Sequence, residues 1–290
     1  MLVDNVGGIL EENGFSYCGY SGCFDIAARR ESLLLLKVLS NVDSFQEEQA
    51  DNLKILSRDL DAQSMLVGMH TRRESLSDNI IYERFDIPTL TPRTLGRMLR
   101  GFLPVLYRSR GGLFVDVEPS QLRKARNDSG MSQAELAVKV GITKKSVYEH
   151  ESRKMKIIYK NAVRMEKVLK TAIISPLEIK PNHAPDFSPR SRFESTISRK
   201  FNSIGFETDS VYKTPFNLIA KEKFLLISDV EEHTARAEKN APYIAEFSRV
   251  AKTPAIIVTK EEINGDVPSI RPGELGELSA NEIRKIINKW

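Results

Sequence analysis

Cysteine is nearly absent. Two thiols in 290 residues, Cys18 and Cys23, are too few for a disulfide framework, and without a Cys or His cluster they make no zinc site. Both read as small buried residues. The four histidines, His70, His150, His183 and His233, are scattered, and nothing pairs them with a nucleophile. No P-loop, dinucleotide fingerprint or G-x-S-x-G elbow occurs, so no nucleotide cofactor is expected, nor any other. No apolar run reaches membrane-spanning length. The N-terminus, MLVDNVGGIL, lacks the basic, apolar and small-residue order of a signal peptide. A cytoplasmic protein with no membrane partner is the expectation, and 41% hydrophobic residues suit a soluble globular chain.

What is present centres on Met131 to Arg153, MSQAELAVKVGITKKSVYEHESR. Ser132 with Glu135 three residues on is a capping box that starts a helix. Leu136, Ala137 and Val140 give that helix one apolar face. Gly141 ends it, because glycine takes a left-handed conformation at little cost. Ile142 fills the corner and Thr143 caps a second helix, with Val147 inward and Lys144, Lys145, Ser146 and Glu149 outward. Two short helices on a glycine turn are a helix-turn-helix pattern. In Ser132-Gln133, Glu135-Leu136-Ala137, Gly141-Ile142, Val147 and Glu151 the stretch resembles the cro/C1-type (XRE) helix-turn-helix. It departs from that pattern at His150, where an aromatic residue is usual, and at Arg153, where a glycine usually opens the next loop.

Charge is concentrated on the same segment. Between Lys139 and Lys170 ten basic residues face three acidic ones, a net of +7 in a chain whose total is +4. Positive charge gathered on and after a helix-turn-helix is what phosphate contact requires.

Three domains and a linker are expected. Residues 1–117 read as α/β, with a helix over Val3–Asn13, a buried central strand in Ser32–Leu39, and a helix over Phe45–Leu60. Ser109-Arg110-Gly111-Gly112 between two short apolar runs predicts a β-hairpin. Its first reading is a connector; contact of Arg108 and Arg110 with DNA backbone is the alternative. Residues 118–174 hold the helix-turn-helix between flanking helices over Pro119–Ser129 and Asn161–Lys170. Residues 175–190, with Pro176, Pro181, Pro185 and Pro189, read as a semi-extended linker. Residues 191–290 are again α/β, ending in a helix over Asn281–Lys289.

The last domain repeats the first. FDIAARRESLLLLKV (Phe24 to Val38) aligns without gaps on FNLIAKEKFLLISDV (Phe216 to Val230), and Gly14-Phe15 answers Gly205-Phe206. Ser57-Arg58 answers Ser248-Arg249, and Leu90-Thr91-Pro92 answers Ile270-Arg271-Pro272. Duplication explains this order with one assumption. A duplicated domain often keeps the pairing surface of the dimer it came from, so the copies should pack about a pseudo-two-fold axis, within one chain or between chains.

The strand order of both copies resembles the core of restriction-endonuclease-like domains. In that family an Asp and an acidic-x-Lys hold a divalent metal, which prefers hard oxygen ligands. Here Asp25 and Lys37 fall at those places, but Leu35 stands where the acidic member belongs. In the second copy Asn217 replaces Asp25 and Asp229 replaces Lys37. Both copies read as inactive scaffolds, with no catalytic and no metal-binding residue.

Residues 10 to 175 as a whole, through FDIAAR, LLLLKVLSNVDS, IIYERFDIPTLTP and GGLFVDV, resemble archaeal cro/C1-type transcriptional regulators. The resemblance implies transcriptional control, with the transcription machinery as a further partner. It also implies that Gln133 binds phosphate. Lys144, Lys145, Ser146 and Glu149 are expected at base edges, Thr143 as cap and phosphate contact, and Arg153, Lys154, Lys156 and Lys160 on the backbone. The expected form is a homodimer on a palindromic site in double-stranded DNA. The alternatives are a metal-dependent, structure-selective nuclease guided by the helix-turn-helix, and a DNA-tethered adaptor whose α/β domains bind another protein.

Overall fold

The computed structural model describes residues 1–153, 155–177 and 184–287. In chain order the elements are α1 (Leu2–Glu12), β1 (Ser16–Gly19), β2 (Ile26–Arg29), β3 (Leu33–Asn41), α2 (Glu47–Leu60), β4 (Ala62–His70), β5 (Ile80–Arg84), β6 (Ile87–Leu90) and α3 (Pro92–Leu99). Then follow β7 (Leu106–Ser109), β8 (Gly112–Val117), α4 (Pro119–Asp128), α5 (Gln133–Val140), α6 (Lys144–Ser152), β9 (Ile157–Ile158), α7 (Tyr159–Leu169) and β10 (Ile174–Ser175). The last stretch holds α8 (Arg192–Ser203), β11 (Glu207–Ser210), β12 (Leu218–Lys221), β13 (Leu225–Val230), α9 (Thr234–Ala251), β14 (Ala255–Val258), β15 (Ser269–Ile270), α10 (Pro272–Leu275) and α11 (Ala280–Ile287). The expected end of the final helix, at Lys289, lies outside the described residues, as do Pro181 and His183 of the linker. No described helix is long and apolar enough to cross a membrane. The chain divides into two compact units, Met1–Val67 with Phe85–Ile87 and Pro181–Trp290, and Gly68–Arg84 with Pro88–Lys180.

In the first unit β3 is the buried spine: Leu33 to Val38 are all buried, Lys37 included, as a strand covered on both faces requires. Strands run β1-β2-β3-β4 in one sheet and β11-β12-β13-β14-β15 in the other. The two match in detail. Ile26 lies opposite Leu36 in one, and Leu218 opposite Ser228 in the other, the same register 192 residues on. Asp25 Oδ2 accepts from the Val38 N–H at 2.7 Å, and Asn217 Oδ1 from the Val230 N–H at 2.8 Å. The long helices α2 and α9 both end in a left-handed residue, Asp61 (φ 50°) and Lys252 (φ 52°), whose N–H donates to Ser57 and Ser248. Pro92 and Pro272 each open the helix after the last strand; Pro272 starts the one-turn α10, separate from α11.

The two sheets meet within this unit. The loop Tyr20–Phe24 lies against its counterpart, Tyr212–Phe216. The Cys23 N–H donates to Lys213 O at 2.7 Å and Tyr20 Oη to Thr214 O at 2.9 Å. Phe247 of α9 contacts both Phe24 (5.6 Å between centroids) and Phe216 (5.1 Å). On the other side Asn52 of α2 accepts from the Tyr212 N–H at 2.6 Å, and Arg58 pairs with Asp209 at 2.9 Å. Lys221 binds Asp59, whose side chain is fully buried, at 2.6 Å. Each long helix therefore packs on the other sheet's first strands, a reciprocal arrangement made inside one chain. Burial pushes both thiols, Cys18 and Cys23, up to about 12, which leaves them protonated and unreactive.

Residues 184–190 carry no helix or strand, yet they are anchored: Phe187 stacks on Tyr212 at 5.4 Å, Asp186 meets Arg58 at 3.0 Å, and Arg190 pairs with Glu48. The aromatic and the alternating charges supply contacts that the proline spacing alone does not reveal.

In the second unit the strand order is β6-β5-β7-β8-β10, with β9 also on β8. Strands β7 and β8 form the expected hairpin, turning on Gly111 (φ 98°) and Gly112 (φ 136°). The helices α4 to α7 enclose their own core of Leu122, Leu136, Val140, Val147, Ala162 and Met165, closed by Val115 and Val117 of β8.

The loop-to-loop junction in the first unit leaves no space at Gly22. A Cβ there would lie 2.0 Å from Lys213 O, so Gly22→Ala should destabilise the chain by about 1–3 kcal/mol through overpacking. Gly8→Ala in α1, where a Cβ meets nothing within 4 Å, should instead stabilise it by about 0.5–1 kcal/mol. Urea unfolding of both variants checks the pair; equal effects would contradict this packing.

Candidate nucleic-acid interface

The interface is built on local chemistry first. Ser132 Oγ accepts from the Glu135 N–H at 3.2 Å, and Glu135 returns a bond to the Ser132 N–H at 2.7 Å, so both orphan donors at the start of α5 are met. Gly141 takes φ 79° and its N–H donates to Ala137. Thr143 Oγ1 then accepts from the Ser146 N–H at 3.0 Å and starts α6. Val147 is completely buried beneath α6.

One buried acid fastens α6 to its neighbours. Glu151, 3% exposed, receives Arg126 of α4 on both oxygens at 2.6 and 3.0 Å, and Gln133 Nε2 of α5 at 2.8 Å. Arg123 donates to the Glu151 carbonyl at 3.1 Å. Burial alone would raise the Glu151 pKa, but the hydrogen bonds from Arg126 and Gln133 outweigh it and hold the carboxyl below its usual range. A forked guanidinium on a carboxylate fixes distance and orientation together. The outward face of α6 is thereby set by contacts on its inward face.

The expected contact residues fall as follows. Thr143, Lys144 and Lys145 are exposed at the start of α6, and Ser146 is half-buried with its hydroxyl 2.9 Å from Thr143 Oγ1. Glu149 is half-buried and reaches Arg153 at 3.7 Å, so it is less free than the helix pattern implies. Gln133 stands at the start of α5 with its amide nitrogen given to Glu151. Arg153 is exposed and extended (φ −148°), a conformation open to any residue, which explains why no glycine is needed there. Lys156 is exposed, with Nζ 3.9 Å from the Tyr107 ring centre. Lys160 is exposed at the start of α7. Lys154 lies outside the described residues. The sequence reading missed Tyr148, 58% exposed, four residues from Lys144 and three from Lys145. Helical spacing alone places it on that face. It also missed Arg123 and Arg126, whose partner is twenty-five or more residues away.

The nuclease-like position gives a different picture. Asp25 Oδ1 is paired with Lys37 Nζ at 2.8 Å, and its Oδ2 is taken by the Val38 N–H. Lys37 also donates to Gly22 O at 2.9 Å. Leu35, at the acidic position, is wholly buried. In the second sheet burial pushes Asp229 up to about 7, against a 3.3 Å bond from Asn240. A divalent cation needs several ionised, outward carboxylate oxygens. Neither set supplies them, so these residues do not fit a metal.

His150 supplies a test of the packing around α6. Its Nδ1 is buried without a partner among the described residues, and burial lowers its pKa, while Glu149 opposes weakly. The unfolded chain therefore takes up a proton first, and stability is full above about pH 6.5 and declines as pH falls below it. In thermal melts between pH 8 and pH 5, His150→Phe should lose less stability on acidification than the unaltered chain. An identical acid loss in both would place the sensitive group elsewhere.

Residues 1–104 match the PD-(D/E)XK superfamily domain and residues 122–173 the helix-turn-helix family. No solved structure matches the chain. Along its whole length it is similar to proteins named as candidate HTH-type transcriptional regulatory proteins. The one from Pyrococcus horikoshii is 32% identical, over 99% of this chain and 96% of the relative. That from Thermococcus gammatolerans is 31% identical over 96% and 92%, and that from Methanothermobacter thermautotrophicus 31% over 96% and 93%. With a helix-turn-helix clamped by Glu151, an N-terminal PD-(D/E)XK superfamily domain and end-to-end similarity to these archaeal proteins, the chain belongs to the family of archaeal HTH-type transcriptional regulatory proteins.

Proposed function

We propose that the chain is a sequence-specific transcriptional regulator that reads double-stranded DNA with α6 and works as a homodimer on a palindromic promoter site. The observation that carries this is an outward row of Lys144, Lys145 and Tyr148 on a helix held from behind by Glu151. Lys144 and Lys145 donate to guanine O6 and N7, Ser146 and Glu149 complete the edge reading, and glutamate accepts from cytosine N4. Thr143, Gln133, Arg153, Lys154 and Lys156 hold the backbone and set the register. The transcription machinery is the protein partner that such a role requires, and the cytoplasm its place.

The DNA-binding domain is residues 118–174. On this reading residues 1–117 and 191–290 are two copies of one restriction-endonuclease-like fold, joined to it directly and through the linker 175–190. The shared register and the matching Asp25 and Asn217 bonds support duplication. Neither copy cleaves DNA, because the one carboxylate left at the first site is neutralised by Lys37. One helix-turn-helix reads few base pairs, and dimers of this type span half-sites about 34 Å apart. The surfaces that pair the two copies are occupied within each chain, so the contact between chains lies elsewhere on it.

Lys145→Ala should weaken the best site by about 1–3 kcal/mol and relax preference there, whereas Lys156→Ala should weaken all sequences alike. Footprinting and light scattering on the selected site should show paired half-sites and two chains. Equal losses on specific and random DNA for both variants would move the recognition helix elsewhere, and a single chain on one asymmetric half-site would remove the dimer. With Mg²⁺ or Mn²⁺ the purified protein should leave plasmid and duplex DNA intact in a gel assay. Cleavage that disappears in Asp25→Ala would overturn the scaffold reading.

A further inference from the structure

The β7–β8 hairpin is more than a lead-in to α4. Strand β8 pairs with β9, Phe114 opposite Ile158 and Val115 opposite Ile157, and β9 lies in the connection between α6 and α7. The tip, Ser109 to Gly112, lies beyond the end of this pair at which the chain leaves β9 for α7. Lys156 rests its ammonium on the Tyr107 ring, and Tyr107 stacks on Phe114 at 5.5 Å. The hairpin is thus locked to the loop that follows α6 by a strand pair and a cation–π contact, and braced internally by an aromatic stack.

The exposed charges of the hairpin tip are both positive. Arg108 and Arg110 are both exposed, and no acidic partner meets either among the described residues. Lys156 and Lys160, both exposed, flank the strand β9 that β8 pairs with. The turn itself is Gly111-Gly112, both at positive φ, so the tip carries no bulk beyond the two guanidiniums. From residue 61 to residue 122 every cation is arginine, eight of them and no lysine. Arginine's planar fork matches phosphate oxygens two at a time and is weakly hydrated, which suits backbone and minor-groove contact.

Distance decides which part of DNA such a tip would reach. Helix α6 has 9 residues, about 13 Å at ~1.5 Å each, so the loop after it is about one major-groove width (~12 Å) from the exposed lysines at its start. With those lysines at the groove floor, the loop to which β8 is paired stands at the groove wall.

We propose that the β7–β8 hairpin is a second DNA-contacting element, a basic wing whose Arg108 and Arg110 grip phosphates flanking the site read by α6. This rests on the reading of α6 as the recognition helix. It assigns the wing affinity and footprint length, not base choice.

The test uses the full chain and a duplex carrying the site it selects from random-sequence DNA. R108A/R110A should bind that duplex about tenfold or more weakly at ~0.1 M salt, with the slope of log affinity against log salt shallower by about 1–2. Its ranking of selected sequences should be unchanged, and its hydroxyl-radical footprint should lose protection at the outer edge of each half-site. R108K/R110K should keep most of the slope, which separates charge from folding. K145A, measured alongside, should lose ranking and keep the slope. Unchanged affinity and slope in R108A/R110A, with K145A defective, would overturn the wing and leave the recognition helix standing. A changed ranking in R108A/R110A would also overturn it, as base contact. If K145A binds and ranks as the unaltered chain does, the reading of α6 is what fails.

Discussion

The buried Glu151 carboxylate is the constraint on which the DNA-binding unit depends. It is the last inward residue of α6, and it is gripped by Arg126 from α4 and Gln133 from α5. A buried charge is tolerated only when its lone pairs are filled, and removing one partner of such a cluster is strongly destabilising. Three helices are thus obliged to keep one mutual geometry. The lysines at the start of α6 inherit it, since a short helix held at one end and capped at the other has little freedom left. Gln133 stands at the start of α5, and its amide nitrogen completes the clasp.

A second constraint shapes the α/β part. The loop that carries Asp25 lies against the loop that carries Asn217, and Gly22, between Tyr20 and Phe24, sits at the point of closest approach. Lys37, in a metal-dependent nuclease free to steer an attacking water, is here spent on Asp25 and on the Gly22 carbonyl. At this position the chain has the bonding of a joint. The retained Asp25 has a clear structural use, because its carboxylate closes the turn into β3 as Asn217 does for β13. An amide can do the same work, which is why the second sheet keeps the bond without the charge.

Legibility followed distance along the chain. The capping box of Ser132 and Glu135, the glycine turn at Gly141 and the Thr143 cap are bonds between residues three or four apart, and the sequence pattern reports them directly. The central strand, Leu33 to Val38, was visible because covering both faces demands a continuous apolar run. The likeness of the two sheets was visible because Phe24, Ala28 and Leu34 recur at one offset in Phe216, Ala220 and Leu226. Strands β9 and β10 were not, since two residues have no period to read. The Arg126–Glu151–Gln133 clasp was hidden because its members are 18 and 25 residues apart and look like ordinary surface charges. Tyr148 was overlooked although helical spacing placed it beside the lysines. The anchoring of Phe187 on Tyr212 was concealed by the proline spacing around it.

The pairing of the two α/β sheets inside one polypeptide has a thermodynamic consequence. Two separate chains meeting through Phe24, Phe216 and Phe247 would associate according to their concentration. Joined through the intervening domain, the same faces meet at an effective concentration fixed by the tether and not by the cell. Dilution then cannot part them. A cell could make very few copies of this protein and still find the α/β platform assembled in every one, while any partnership between whole chains would remain free to respond to abundance.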